Sequence, residues 1–127
     1  MKRHPPGATM SIEQYRALES EDSFQLRVME LAEDNGWRWW HIDTAIKLLR
    51  DGKFVGSPGA KDLPDLVLVR ERRPGEPPQL IFAELKKASG IVSPGQVAAV
   101  NLLLLAGVKA YIWRPDDWGD IVKVLAA

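Results

Sequence analysis

Two short apolar stretches of this sequence carry ionisable side chains that buried strands do not normally keep. They are Pro64-Asp65-Leu66-Val67-Leu68-Val69 and Leu80-Ile81-Phe82-Ala83-Glu84-Leu85-Lys86. The segment between them, from Arg70 to Gln79, is rich in Arg, Pro and Gly and lacks apolar periodicity, so it reads as a hairpin loop. If the strands pair, Asp65 near the start of one approaches Glu84 near the end of the other. A side-chain period of two then puts Glu84 and Lys86 on one sheet face and Leu85 on the opposite face. Two carboxylates and an ammonium on one face are costly unless they bind something charged. A divalent metal and a phosphate supply that charge. Mg²⁺ or Mn²⁺ prefers carboxylate oxygen and keeps several waters, which makes Asp65 and Glu84 the primary ligands expected. Lys86 is then placed to orient or deprotonate an attacking water and to stabilise charge on the phosphate. The bland alternative is that Asp65 merely opens a strand after a turn while Glu84 and Lys86 form an edge-strand ion pair.

These residues need a scaffold, and the rest of the chain supplies its signals. Residues 1–10 are charged and proline-bearing and read as a flexible tail, leaving residues 11–127 as a single domain. Ser11 and Gln14 have the form of a capping box opening a short helix to about Leu18. A second helix starts after Ser20 and runs to about Asn35, with Gly36 as its stop. Phe24, Val28, Leu31 and Ala32 form its apolar stripe, and Glu21 and Gln25 continue that line inward. Read from the residues alone, Glu21 is a first-turn acid favoured by the helix dipole.

Trp37 to Ile42 has the composition of a strand, with three of the five tryptophans. Such a cluster is first of all core or an oligomer contact, and base stacking is the sharper alternative. His41 beside Asp43 would suggest a general base if both faced a pocket; otherwise His41 packs or orients phosphate. A helical turn is expected over residues 45–49, then an irregular basic loop with Gly52, Gly56 and Gly59 up to Asp62. After the motif strands, Ser93, Pro94 and Gln96 occupy the N-cap, N1 and N3 positions of a helix that stops before Gly107. Residues 108–113 read as a strand ended by Pro115, and Asp116 or Asp117 can cap a final helix through Val124. That order gives an α/β sandwich with a mixed sheet.

The apolar fraction of 46% and charged fraction of 27% are those of a water-soluble globular chain. Absence of cysteine excludes disulfides and thiolate metal sites, and it fits a reducing compartment such as the cytoplasm. The first nine residues do not form a secretory signal, and the longest apolar run, Leu102 to Ala106, is too short to cross a bilayer, so no membrane partner is expected. Lys+Arg and Asp+Glu both number 17, a balance that argues against tight non-specific DNA binding by a monomer. Bound metals add local positive charge that this count ignores. The cations cluster around the first motif, with Lys47, Arg50, Lys53 and Lys61 before it and Arg70, Arg72 and Arg73 after it.

Pro64-Asp65 followed by Glu84-Leu85-Lys86 resembles the PD-(D/E)XK nuclease signature. With Glu21, Gln25, Ser93-Pro94-Gly95-Gln96, Gly107 and Trp113-Arg114-Pro115-Asp116, the set is similar to the virus-type replication-repair nuclease (VRR-NUC) family, from about Glu21 to Leu125. The resemblance implies a PD-(D/E)XK nuclease-like three-layer core, a mixed central sheet flanked by helices. It implies a Mg²⁺- or Mn²⁺-dependent DNA endonuclease in which Glu21 completes the metal site of Asp65 and Glu84. The backbone carbonyl of Leu85 would contribute to that site, and Gln96 would contact the metal site or its water from the helix start. Lys61-Asp62-Leu63 departs from the pattern, since similar nucleases have a shorter, glycine-led approach to the Pro-Asp strand.

Stand-alone members are typical of phages and are similar in fold to junction resolvases. That implies branched, flap or junction DNA read by shape, by a homodimer. Two other classes compete: a non-catalytic DNA-binding or assembly module on the same fold, although no motif position is lost, and a restriction-type sequence-specific nuclease, which normally needs more chain for base readout.

Overall fold

The computed structural model describes residues 20–42, 47–48, 54–55 and 62–127. The expected tail, the helix over residues 11–18, Asp43 and most of the loop over residues 50–62 lie outside these. The Ser20 hydroxyl accepts from Ser23 N at 3.1 Å and starts helix α1, Glu21–Asp34. Its buried residues, Phe24, Val28 and Ala32, recur every fourth position, so one stripe faces inward. Burial of Phe24 and Val28 contributes about 1.5–3 kcal/mol each. Gly36, at φ 82°, ends the helix by a double hydrogen bond: Gly36 N to Glu33 O at 3.0 Å and Trp37 N to Ala32 O at 2.9 Å.

Strands β1 (Arg38–His41), β4 (Leu66–Arg70), β5 (Gln79–Leu85) and β6 (Lys109–Trp113) form one sheet in the order β1-β4-β5-β6. The first three are antiparallel neighbours, while β6 runs parallel to β5. A parallel neighbour needs a crossover, supplied by helix α2, Pro94–Leu105. A second double bond ends α2 at Gly107, φ 85°: Gly107 N to Leu104 O at 3.0 Å and Val108 N to Leu103 O at 2.9 Å.

Alternation along the strands splits the sheet into two unlike faces. Leu66, Leu68, Ile81, Ala83, Leu85 and Trp113 share one face and join Phe24, Val28, Ala32, Trp37, Ile121 and Leu125 in the core. Helix α1 and the final helix α3, Trp118–Ala126, cover this face, and the Arg27 guanidinium lies 4.2 Å from the Trp118 ring centroid between them. The other face carries Val67, Phe82, Glu84 and Ala110, and α2 packs over it against β6, burying Val100. The result is an α/β fold of three layers around a mixed four-stranded sheet.

Several local expectations differ from the structure. Lys47 and Leu48 do not belong to a helical turn; as β2 (Lys47–Leu48) they pair antiparallel with β3, Phe54–Val55. Aromatic and β-branched residues at 54 and 55 favour that pairing within what the sequence presents as loop. The side chain of Asp117 does not cap α3. It accepts from Arg114 N at 2.8 Å and closes a 3₁₀ turn, Pro115–Asp117. Trp37 is core: its indole N–H donates to Leu125 O at 2.8 Å.

Candidate active site

The β4–β5 register pairs Leu66 with Ala83, so the next pair outward is Asp65 and Glu84. Asp65 N donates to Glu84 Oε2 at 3.1 Å, which closes the end of the hairpin with a side chain. On the other side, Lys86 N donates to Trp113 O at 3.0 Å and carries the β5–β6 ladder one residue further. That bond fixes Lys86 on the Glu84 face, and its Nζ lies 3.4 Å from Glu84 Oε1. Leu85 between them points into the core on the opposite face, so only its backbone carbonyl can serve the site.

The fourth group comes from the crossover. Ser93 Oγ accepts from Gln96 N at 3.1 Å and Gln96 Oε1 accepts from Ser93 N at 3.0 Å, a complete capping box. Because the amide oxygen is held by Ser93, its nitrogen faces the sheet and donates to Glu84 Oε1 at 3.0 Å. The cap and the site contact are therefore two ends of one amide. Gly95 precedes it for a packing reason. The Asp62 carboxylate occupies the space of a side chain at 95, where a Cβ would meet Asp62 Oδ1 at 2.5 Å. Asp62 thus places an acid beside the first turn of α2, where the helix dipole favours it.

Glu84 is the centre of the cluster, 1% exposed and the one buried charged residue among those described. Its pKa is pushed up to about 7, first by burial and next by the negative charge of Asp65. The Lys86 charge, its hydrogen bond and the Asp65 N–H oppose this without restoring the ordinary carboxylate value. At neutral pH the site is therefore short of positive charge. Two adjacent carboxylates in that condition fit a hard divalent cation, and Glu84 Oε2, with one protein donor, retains a lone pair for it.

No protein-family model, no curated protein and no solved structure matches the chain. The geometry alone therefore bears on the sequence-derived site. It brings Asp65, Glu84, Lys86 and Gln96 together. Glu21 stands half-buried in the first turn of α1, and among the described residues no three acids or histidines are gathered closely enough to hold a metal ion. His41 is exposed at the end of β1.

Arg70, counted above only among the cations that follow the first motif, is a structural latch. It donates to Gln79 Oε1 at 2.8 Å, Asn35 O at 3.1 Å and Leu125 O at 2.9 Å, and also to Ala127 O, while its guanidinium lies over Trp37. Arg114, named from the sequence only as part of Trp113-Arg114-Pro115-Asp116 and given no role there, donates to Lys87 O at 2.9 Å and Ala88 O at 3.2 Å and pins the turn that follows Lys86. Of the tryptophans in β1, Trp39 donates to Glu33 at 2.8 Å, whereas Trp40 is 53% exposed on the same sheet face as Glu84.

Proposed function

We propose that the chain is a metal-dependent nuclease of the PD-(D/E)XK type, similar to the VRR-NUC family, that hydrolyses phosphodiester bonds in DNA. The observation that carries this reading is the buried Glu84 carboxylate on which Asp65, Lys86 and Gln96 converge. A structural ion pair does not need a second carboxylate beside it, and burial of such a pair is costly without a cation. The mixed sheet with both motif strands at its centre also agrees with a PD-(D/E)XK core.

Asp65, Glu84 and the Leu85 carbonyl would hold Mg²⁺ or Mn²⁺, with Glu21 as an outer contributor. Bound there, the cation would supply an acidified water as nucleophile and would neutralise phosphate oxygens. Lys86, on a flexible stem beside Glu84, points its ammonium at the same place as the carboxylates. There it holds the attacking water or a non-bridging phosphate oxygen as the P–O bond to the leaving oxygen breaks. Gln96 fixes the Glu84 carboxylate without adding charge, so the acid stays oriented when its proton is lost. Trp40 offers an exposed ring on the same face for stacking on an unpaired base.

With so much of the chain in one α/β unit, DNA structure is the feature it reads: branched, flap or junction forms. A cleavage panel of linear duplex, single strand, flap, splayed arm and four-way junction in Mg²⁺ and in Mn²⁺ tests this. Cutting of a structured substrate is expected, and Asp65→Asn and Glu84→Gln should abolish it with the fold intact. Normal turnover by either variant, or no cutting of any substrate by wild type, refutes the proposal.

A further inference from the structure

Helix α2 is apolar on nearly every side. Between Lys87 and Lys109 the chain has no charged residue. The fold uses one side of the helix only: Val100 is buried, and Gln96, Ala99 and Leu103 are half-buried. At about 100° per residue, the opposite side displays Val97, Asn101, Leu102, Leu104 and Leu105. Leu105 is 85% exposed, Leu102 68%, Leu104 50% and Val97 40%. Helices that are apolar all round belong in places where they are buried all round. These side chains offer on the order of 500 Å² of apolar surface, in the upper half of the range for the largest patch on a monomer, where such patches are often functional. It is also most of the roughly 800 Å² that each partner gives to a standard interface.

We propose that this face docks a second copy of the same chain, α2 against α2 across a two-fold axis. The face is neutral, so it selects no charged partner, and identical neutral faces do not repel. The zero formal charge of the whole chain removes long-range repulsion as well. Asn101 is the one polar residue on the outward side, near the middle of the helix. An amide both donates and accepts, so it pairs with its own symmetry mate, and a lone amide in an apolar seam sets the register. Helix α1, which residues 1–19 precede in the chain, lies on the far side of the sheet. The expected homodimer thereby acquires a surface, and the inference does not rest on the proposed chemistry.

Sedimentation equilibrium of the full chain between about 1 and 100 µM tests it by mass. Wild type is expected at twice the 14.2 kDa of one chain. Leu102→Glu with Leu105→Glu should weaken association by roughly a hundredfold or more, with circular dichroism unchanged because both side chains lie outside the core. If that pair fails to fold, Asn101→Asp decides the matter: it sets two carboxylates face to face and should weaken the dimer roughly tenfold at pH 8. A wild type of single-chain mass throughout the range overturns the proposal and leaves residues 1–19 or another protein as the cover. A dimer indifferent to these substitutions overturns it too.

Discussion

Replacing Glu84 by Gln in the metal-free protein should change stability in opposite directions at low and high pH. Glu84 titrates at about 7 in the folded chain against an ordinary 4.5. The folded state thus holds its proton more tightly than the unfolded state does, by about 3 kcal/mol. A raised pKa contributes stability that is fully present below pH 4.5 and is lost as pH rises through about 7. Glutamine has no proton to lose and escapes that penalty. It does give up one acceptor, since an amide cannot receive Asp65 N–H on one side and Gln96 with Lys86 on the other, a loss of about 1 kcal/mol. The variant should be about 1 kcal/mol less stable than wild type near pH 4, nearly equal to it near pH 5 and about 2 kcal/mol more stable near pH 8, a gain of roughly 8 °C in Tm. Urea unfolding followed by tryptophan fluorescence in EDTA, from pH 4 to pH 8, measures the difference directly, and titrations elsewhere cancel. A difference that stays constant across this range would refute the burial argument. Added Mg²⁺ or Mn²⁺ should stabilise wild type at pH 8 and leave the variant unmoved.

Three further outcomes follow from the same geometry. Lys86→Ala should lower the cleavage rate by roughly two to four orders of magnitude while DNA affinity in Ca²⁺ falls far less, measured on one junction substrate; equal losses would make Lys86 a mere DNA contact. Gln96→Glu keeps the capping box but turns a donor 3.0 Å from Glu84 into a carboxylate, so metal-free protein should melt several degrees lower at pH 8 with recovery in Mn²⁺. Unchanged melting would show that the amide only caps the helix. Gly95→Ala should change stability by less than about 1 kcal/mol, because the new methyl meets only the carboxylate end of the Asp62 side chain, which can swing aside, and Ala is the better helix former. A loss above about 2 kcal/mol by urea unfolding would show that Asp62 is held rigidly there.

Much of the fold was legible because its signals are local. The capping box at Ser93 and Gln96, the glycine stops at Gly36 and Gly107 and the stripe of α1 are each contained within a few residues, and all are present. The approach of Asp65 to Glu84 was also legible, since one hairpin with one register decides it. The rest depends on partners far apart in the chain. Arg70 looks like any exposed cation in sequence, and its role exists only where α1, β5 and α3 end side by side. The contact between Asp62 and Gly95 joins the approach to β4 to a helix start, which no periodicity announces. Gln96 had a sufficient local explanation as a cap, and only the crossover geometry shows its other end on Glu84.

That crossover also favours an order of assembly. The β4–β5 hairpin closes a short loop and can form early, whereas pairing β6 with β5 has to close the longer loop that contains α2. Asp65, Glu84 and Lys86 therefore meet while the chain is still open to water, which solvates their charges at little cost. Gln96 and the burial of Glu84 arrive together in the later step. The electrostatic strain of the site is thus confined to the last stage of folding. It falls after the hairpin has fixed the register, so a charge that destabilises the finished protein does not slow the search for its topology.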